Sequence, residues 1–424
     1  MLSYALLLVF IFLLLRDYKK GVIFTAFIVQ PLTYIGSGIG EISLYYILAF
    51  FALILFPMTP YLKNIKTYPK LLLIPTCLMA ISYLVTNSIC RKPHTVLIIS
   101  NIITQFIFPV ILWCVLTDDN KLKTAVKLLC YMCVISILVM IPEQVFKHNY
   151  FTDLIMHTCV ISDFVIDANT IRYGLKRINS IFSYFSTCGM FGYLSAYILW
   201  IIGSKYKIRQ NYYFALLLLM MFLSFSSGSR ATFLGIFCVL IGLFTDSKFQ
   251  QNNIFKILLG LCILLSPIVV SYVGDILDSM ISSDSNKAVT GSSSEMRMLQ
   301  WEACLPYFEQ SPIWGNGRMY IWEEVAPRNP IIQGAESIFF SLTVDYGIMG
   351  VITYLIMIVS ATILLYKKEP RLAFLPIGYF LILSLSPDAG IQYNLLLTFV
   401  VLSYKLIDSY NNKAIRVSSS MFQY

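Results

Sequence analysis

The sequence predicts an all-α fold, a polytopic bundle of membrane-crossing helices. Of its residues 58% are hydrophobic and only 12% are charged. Apolar runs of about 20 residues, long enough to cross hydrocarbon as a helix, recur from one end to the other. Basic residues gather in the short breaks between those runs. Breaks at charged or Pro/Gly-containing stretches give roughly thirteen segments, near residues 2–15, 21–35, 43–57, 70–88, 95–116, 124–142, 184–203, 212–226, 231–245, 254–273, 337–366, 371–386 and 390–407. The expected total is about twelve to fourteen spans.

The first segment lacks a basic start and a small-residue cleavage site, so it reads as a retained span and not as a cleavable signal. In the segment 124–142, Cys130 and Cys133 form a CxxC, read as small buried hydrophobes because they fall in mid-span. Two connections exceed a turn, 143–178 and 274–335, and loops of that length tend to be lids or binding segments.

Orientation follows from the loops, because Lys and Arg accumulate on the cytoplasmic side. Arg16/Lys19/Lys20, Lys63/Lys66/Lys70, Lys121/Lys123/Lys127, Lys205/Lys207/Arg209, Lys248/Lys256, Lys367/Lys368/Arg371 and Lys405/Lys413/Arg416 mark alternate connections. They account for 20 of the 31 basic residues, 16 of them Lys and 4 Arg. The other 11 are 4 Lys (Lys92, Lys147, Lys176, Lys287) and 7 Arg (Arg91, Arg172, Arg177, Arg230, Arg297, Arg318, Arg328). A guanidinium grips phosphate oxygens in pairs and stays charged, whereas Lys offers a hydrated point charge. The external face therefore reads as built for a phosphorylated ligand.

The net charge of +9 fits contact with anionic lipid headgroups, and no soluble basic domain suggests nucleic acid. His94, His148 and His157 lack ligand spacing, so no metal site is expected. No Gly-rich phosphate loop is present, and no cofactor is expected.

The second long loop opens polar, from Asp275 to Gly291. Ser292 and Glu295 have capping-box spacing, which predicts a helix start. Met298, Trp301 and Leu305 then fall at helical spacing, predicting an amphipathic helix on the outer membrane surface that ends or kinks near Pro306. The Pro312–Gly317 stretch turns the chain. Trp301, Trp314 and Trp322 suit an interface. Such a helix serves either as a substrate lid or simply as packing over the bundle.

Four positions carry candidate chemistry. Arg230 closes Ser226-Ser227-Gly228-Ser229-Arg230, where hydroxyls, a guanidinium and the free amides of a helix start together make an anion site. The alternative is a snorkelling interfacial arginine. Arg177, just ahead of the span beginning near Tyr184, mirrors that position. Arg297 either swings over a bound headgroup or pairs with Glu295. Glu336, immediately before a long apolar helix, is a candidate general base on a sugar hydroxyl, or else a charge that complements the helix dipole.

At these residues the chain resembles the bacterial O-antigen polymerase and O-antigen ligase superfamily, best over about residues 172–390. Three pieces carry the resemblance: Arg177 with Ser180, Phe182 and Gly189; Ser227-Gly228-Ser229-Arg230; and the run Arg297, Trp301, Pro312, Gly315, Gly317, Glu336, Ser337, Asp345, Gly347 and Gly350. The last is the most specific. The resemblance implies a GT-C-like glycosyltransferase with its active site on the periplasmic face of the inner membrane. The implied donor is a glycan on undecaprenyl pyrophosphate, and a chain-length regulator is a candidate partner. Catalysis would fall to Glu336, Arg230, Arg177 and Arg297, and substrate contact to Ser227, Ser229, Ser180, Trp301, Gly315, Gly317, Arg318 and Ser337. Ligases usually carry His followed by Asn where this chain has Glu336 and Ser337, which favours the polymerase branch. The alternatives are an O-antigen ligase acting on the lipid A core and, in a different class, a polysaccharide flippase. A flippase is expected to show internal repeats and midplane polar groups that this sequence lacks.

Overall fold

A computed structural model describes residues 2–39, 42–162, 171–172, 175–205, 210–246, 250, 294–330, 332, 337–386 and 393–421. These residues form a helical bundle whose only ladder is a two-residue antiparallel pairing of β1 (Ile171–Arg172) with β2 (Leu175–Lys176). The helices in chain order are α1 (Leu2–Arg16), α2 (Tyr18–Phe24), α3 (Leu44–Leu55), α4 (Lys70–Ile89), α5 (Thr95–Asn101), α6 (Phe108–Val115), α7 (Asp119–Phe146) and α8 (Tyr150–Thr158). There follow α9 (Phe185–Lys205), α10 (Gln210–Ser226), α11 (Arg230–Phe244), α12 (Ser294–Gln310), α13 (Ile338–Tyr366), α14 (Phe374–Ser384) and α15 (Tyr393–Met421). A π-helical stretch, Ile102–Ile107, joins α5 to α6, and another, Thr25–Val29, extends α2.

Each predicted apolar segment coincides with helix except 254–273, which lies outside the described residues. Five helices are long and apolar enough to cross a membrane by length and composition: Lys70–Ile89, Thr95–Val115, Asp119–Phe146, Phe185–Lys205 and Ile338–Tyr366. A sixth is a pair bent by 98° at the end of α3, and Leu2–Arg16, Gln210–Ser226, Ala231–Phe244 and Pro370–Ser384 are apolar but shorter. Length and composition thus certify fewer crossings among the described residues than the expected twelve to fourteen. The chain is a polytopic membrane protein of helical class.

The contacts sort the connections into two ends, as the charge pattern anticipates. At one end Lys205 meets Glu369 (2.7 Å), Arg371 meets Asp246 (3.6 Å), Lys368 meets Asp408 (2.5 Å) and Lys19 meets Asp118 (3.9 Å). At the other, Tyr34 donates to the Ile181 carbonyl (3.0 Å), Ile35 bridges Ile161, and His94 meets Glu323 (3.2 Å). Between the ends α9 is the central helix, buried from Phe185 to Ser204. Its Gly189 and Gly192 admit α10 and α11 at backbone distance. A Cβ on Gly189 would lie 2.4 Å from Thr232 Cγ2, and one on Gly192 would lie 2.8 Å from the Met220 carbonyl. Cys130 and Cys133 are buried in α7, in keeping with their reading as core residues.

α13 is broken at Gly347 (φ 64°, ψ −163°). The break exposes amides after it and carbonyls before it, and residues 312–317 take both sets. Ile348 and Met349 donate to the Pro312 and Ile313 carbonyls (2.8 and 3.1 Å), while Asn316 and Gly317 donate to those of Val344 and Asp345 (both 3.0 Å). The Asp345 side chain, 3% exposed, accepts from Met319 N–H (3.0 Å) and Ile321 N–H (2.9 Å). Gly315 (φ 76°) sits so close that a Cβ would fall 2.4 Å from the Asp345 carbonyl carbon.

The loop helix α12 is described from Ser294, Ser292 lying outside the described residues, and it does not end at Pro306 but runs through it to Gln310. Of the stripe expected on the membrane surface, Met298 is 64% exposed and Trp301 and Leu305 are half-buried, while Gln300 and Cys304 are buried against the protein. The face is chosen by protein contacts: Cys304, with Trp301 beside it, clusters with Ile321, Val325, Phe340 and Val344. The loop expected from residue 143 starts later, because α7 continues to Phe146.

Gly347→Ala is expected to destabilise the detergent-purified protein by at least about 1–3 kcal/mol, since its Cβ would meet the Ile313 carbonyl oxygen at 2.5 Å at a positive φ. A melting temperature equal to wild type would show that this break is not needed.

Candidate functional site

The stretch 176–180 feeds irregularly into α9 and is held by the end of α7. Glu143 and Lys176, each 1% exposed, stand 3.6 Å apart. The same carboxylate accepts from Asn179 N–H (3.2 Å) and Ser180 N–H (2.7 Å). Ser180 has φ 53°, a left-handed conformation that costs about 1–3 kcal/mol for a residue with a Cβ. Its hydroxyl donates to the Ser136 carbonyl (2.6 Å) and its carbonyl accepts from Asn149 Nδ2 (2.8 Å).

Arg177 lies between these anchors. Its guanidinium carbon is 3.4 Å from the centre of the Phe185 ring, a cation–π arrangement. Its Cγ packs against Gly228, where a Cβ would fall 2.8 Å away, and Ile178 N–H donates to the Ser226 carbonyl (3.2 Å). Arg177 therefore lies on the Ser226-Ser227-Gly228-Ser229 turn. Gly228 takes φ 64° to make that turn. Ser229 is the N-cap of α11 and makes no side-chain capping bond to it, and Arg230 is the first residue of that helix. The Arg230 side chain lies outside the described residues. Ser227 is fully buried, its hydroxyl donating to the Ser224 carbonyl (2.7 Å) beside Thr232 (3.3 Å).

Arg297 reaches from α12 to the end of α14, donating to the Leu385 carbonyl (3.3 Å). Next in sequence, Ser386 donates to Ser186 Oγ (3.1 Å), and Ser186 follows Phe185, the ring under Arg177. A short relay of contacts thus joins Arg297 to Arg177. Arg318 stands apart, donating to Tyr346 Oη (3.4 Å), whose ring stacks on Tyr83 at 4.2 Å. Trp301 packs over Phe340 (6.3 Å), Gly315 and Gly317 shape the loop docked on α13, and Ser337 is the N-cap of α13, accepting from Phe339 N–H (3.2 Å). Glu336 lies outside the described residues, as do Ser292 and the Glu295 side chain proposed to pair with Arg297.

Not every outer cation is available to a ligand. Lys176 is buried on Glu143; Lys92 and Arg328 both hold Glu324, the latter at 2.6 Å. An open groove of about 800 Å³ lies away from the arginines, between α3 and α5, lined by Tyr46, Phe50, His94, Val96 and Ile99 among others. Among the described residues no group of three or more His, Cys, Asp or Glu is placed to hold a metal.

Residues 214–355 match the O-antigen ligase family. The matched segment is 142 of 424 residues, running from α10 into α13. It includes Arg230, Arg297, Arg318 and the repaired break of α13, whereas Arg177 lies before it. The match supports the superfamily of O-antigen ligases and polymerases, which are membrane glycosyltransferase-like enzymes acting on lipid-linked glycans, and does not separate its two branches. No curated protein matches the chain.

Glu143 and the anchoring role of Asp345 escaped the sequence reading. Each had a signal: an acidic side chain at the end of, or within, a long apolar run is costly unless paired. Glu143 sits where the apolar run gives way to polar residues, although α7 itself continues to Phe146.

One outer clasp is titratable. The hydrogen bond from Lys92 holds the Glu324 carboxyl below its ordinary value of 4.5, with the charges of Lys92 and Arg328 adding to it against partial desolvation. A depressed carboxyl stabilises the fold above its unfolded value and loses that contribution as pH falls through the folded one. Glu324→Gln should melt below wild type at neutral pH, and the gap should close in acid below about pH 4.5. A gap that persists unchanged there would assign the effect to packing.

Proposed function

We propose that this chain is an O-antigen-type polymerase of the bacterial inner membrane. It moves a growing glycan from undecaprenyl pyrophosphate onto the next lipid-linked repeat unit at the periplasmic face. The observation that supports this reading best is the packing of Arg177 on the 226–229 turn that opens α11 at Arg230, at the bundle end poor in lysine and rich in arginine.

In this reading an acceptor hydroxyl oxygen attacks the anomeric carbon of the donor. The bond from that carbon to the pyrophosphate oxygen breaks, and undecaprenyl pyrophosphate leaves with the electron pair. Arg177, Arg230 and Arg297 neutralise the charge developing on the diphosphate, in a site poor in water where such contacts are strong. Glu336 takes the proton of the hydroxyl, a contribution of roughly 10² to 10⁴ in rate. Guanidinium groups supply the positive charge, so the reading calls for no metal. Ser229, its hydroxyl not engaged in capping α11, stands at the start of that helix, whose N-terminal end adds to the anion site.

Glu336-Ser337 in place of the ligase pattern His-Asn favours the polymerase; the family description itself favours a ligase as second reading. Deleting the gene and running lipopolysaccharide gels separates them. A core carrying a single repeat unit is expected for a polymerase, whereas a bare core with accumulated long lipid-linked polymer would identify a ligase. Arg177→Lys and Arg230→Lys should each lower polymerisation by about 10² to 10³, the cost of one lost charge-stabilising donor. Full-length polymer from Arg230→Lys and Arg230→Ala alike would remove that residue from the mechanism.

A further inference from the structure

We propose that Glu143 is a positioning residue for Arg177; this rests on the reading that Arg177 meets the diphosphate. The clamp acts on both sides of the arginine. On the N-terminal side Lys176 is held twice. Its Nζ is 3.6 Å from Glu143 Oε1, and its backbone N–H donates to Gln144 Oε1 (3.0 Å) while its carbonyl accepts from Gln144 Nε2 (3.4 Å). On the C-terminal side the Glu143 carboxylate takes the N–H groups of Asn179 and Ser180, one on each oxygen (3.2 and 2.7 Å). Arg177, with Ile178, thus lies between two segments fixed to one turn of α7. The fixed backbone presses its Cγ against Gly228 and lays its guanidinium on Phe185.

Stability alone does not explain this arrangement. A buried ion pair is often no more stabilising than apolar residues of the same size, whereas it does impose one geometry on the groups it joins. Here that geometry includes the left-handed Ser180, a conformation that persists only where the surroundings determine it. A guanidinium that stabilises developing charge has to be in place before the charge appears. Glu143 has the placement to ensure that for Arg177 without touching substrate.

The test uses the purified full chain with Glu143→Gln, and with Glu143→Gln/Lys176→Met so that no lone lysine is left buried. One readout is modification of Arg177 by phenylglyoxal, followed by peptide mass spectrometry; it should speed up severalfold in both variants. The other is binding of undecaprenyl pyrophosphate, which should weaken about tenfold or more, in line with a hydrogen bond to a charged group. Arg177→Lys/Glu143→Gln should bind no worse than Arg177→Lys alone, because residues acting through one another are not additive. An unchanged Arg177 modification rate, additive losses, or failure of both variants to fold would overturn the proposal. If instead Arg177→Lys binds the probe like wild type while Arg177 modification still accelerates in Glu143→Gln, the diphosphate role of Arg177 falls and the positioning by Glu143 stands.

Discussion

A long apolar helix that breaks must find partners for the amides and carbonyls it exposes, because an apolar surrounding offers none. In α13 the break at Gly347 is answered by one loop, which donates two N–H groups to the carbonyls before the break and accepts from two after it. Each unmet group would cost about 1–3 kcal/mol, so loop and helix form as a unit. Asp345 extends the union by taking two further amides of the loop. The cluster of Cys304, Ile321, Val325 and Val344 follows from it, since the docked loop brings those side chains under α12.

Several of the outer cations serve the scaffold. Lys92, Lys176 and Arg328 are spent on carboxylates and hold connections together. Arg177 lies on the Phe185 ring, and Arg297 reaches the Leu385 carbonyl. The lysine-to-arginine switch in the sequence therefore mixes scaffold with candidate site.

Much of the fold was legible because helix-length apolar runs and the placement of Lys and Arg follow from hydration alone. The segments around 70–88, 95–116 and 184–203 correspond closely to Lys70–Ile89, Thr95–Val115 and Phe185–Lys205. At α12 periodicity did not reveal the face that packs on protein, which is chosen by the partner surface: Gln300 goes in and Met298 stays out. Of the candidate site, Arg177 and Arg230 were legible as similar entrances to helices, but the packing of Arg177 on the 226–229 turn is seen only in the fold. The inward turn of the Ser180 and Ser227 hydroxyls to main-chain carbonyls was not legible, since it depends on α7 and the end of α10. Glu143 carried a signal that it is paired but not with what, because Lys176, Asn179 and Ser180 lie 33 to 37 residues further along the chain and only folding brings them to it.

The segment 312–321 is stitched to α13 on both sides of Gly347. Swinging it outward would strip four main-chain bonds and four that involve a side chain at once, so it behaves as wall and not as door. On the proposed function, a donor with a long isoprenoid tail would enter laterally between helices, from the lipid phase, beneath a rim that stays shut.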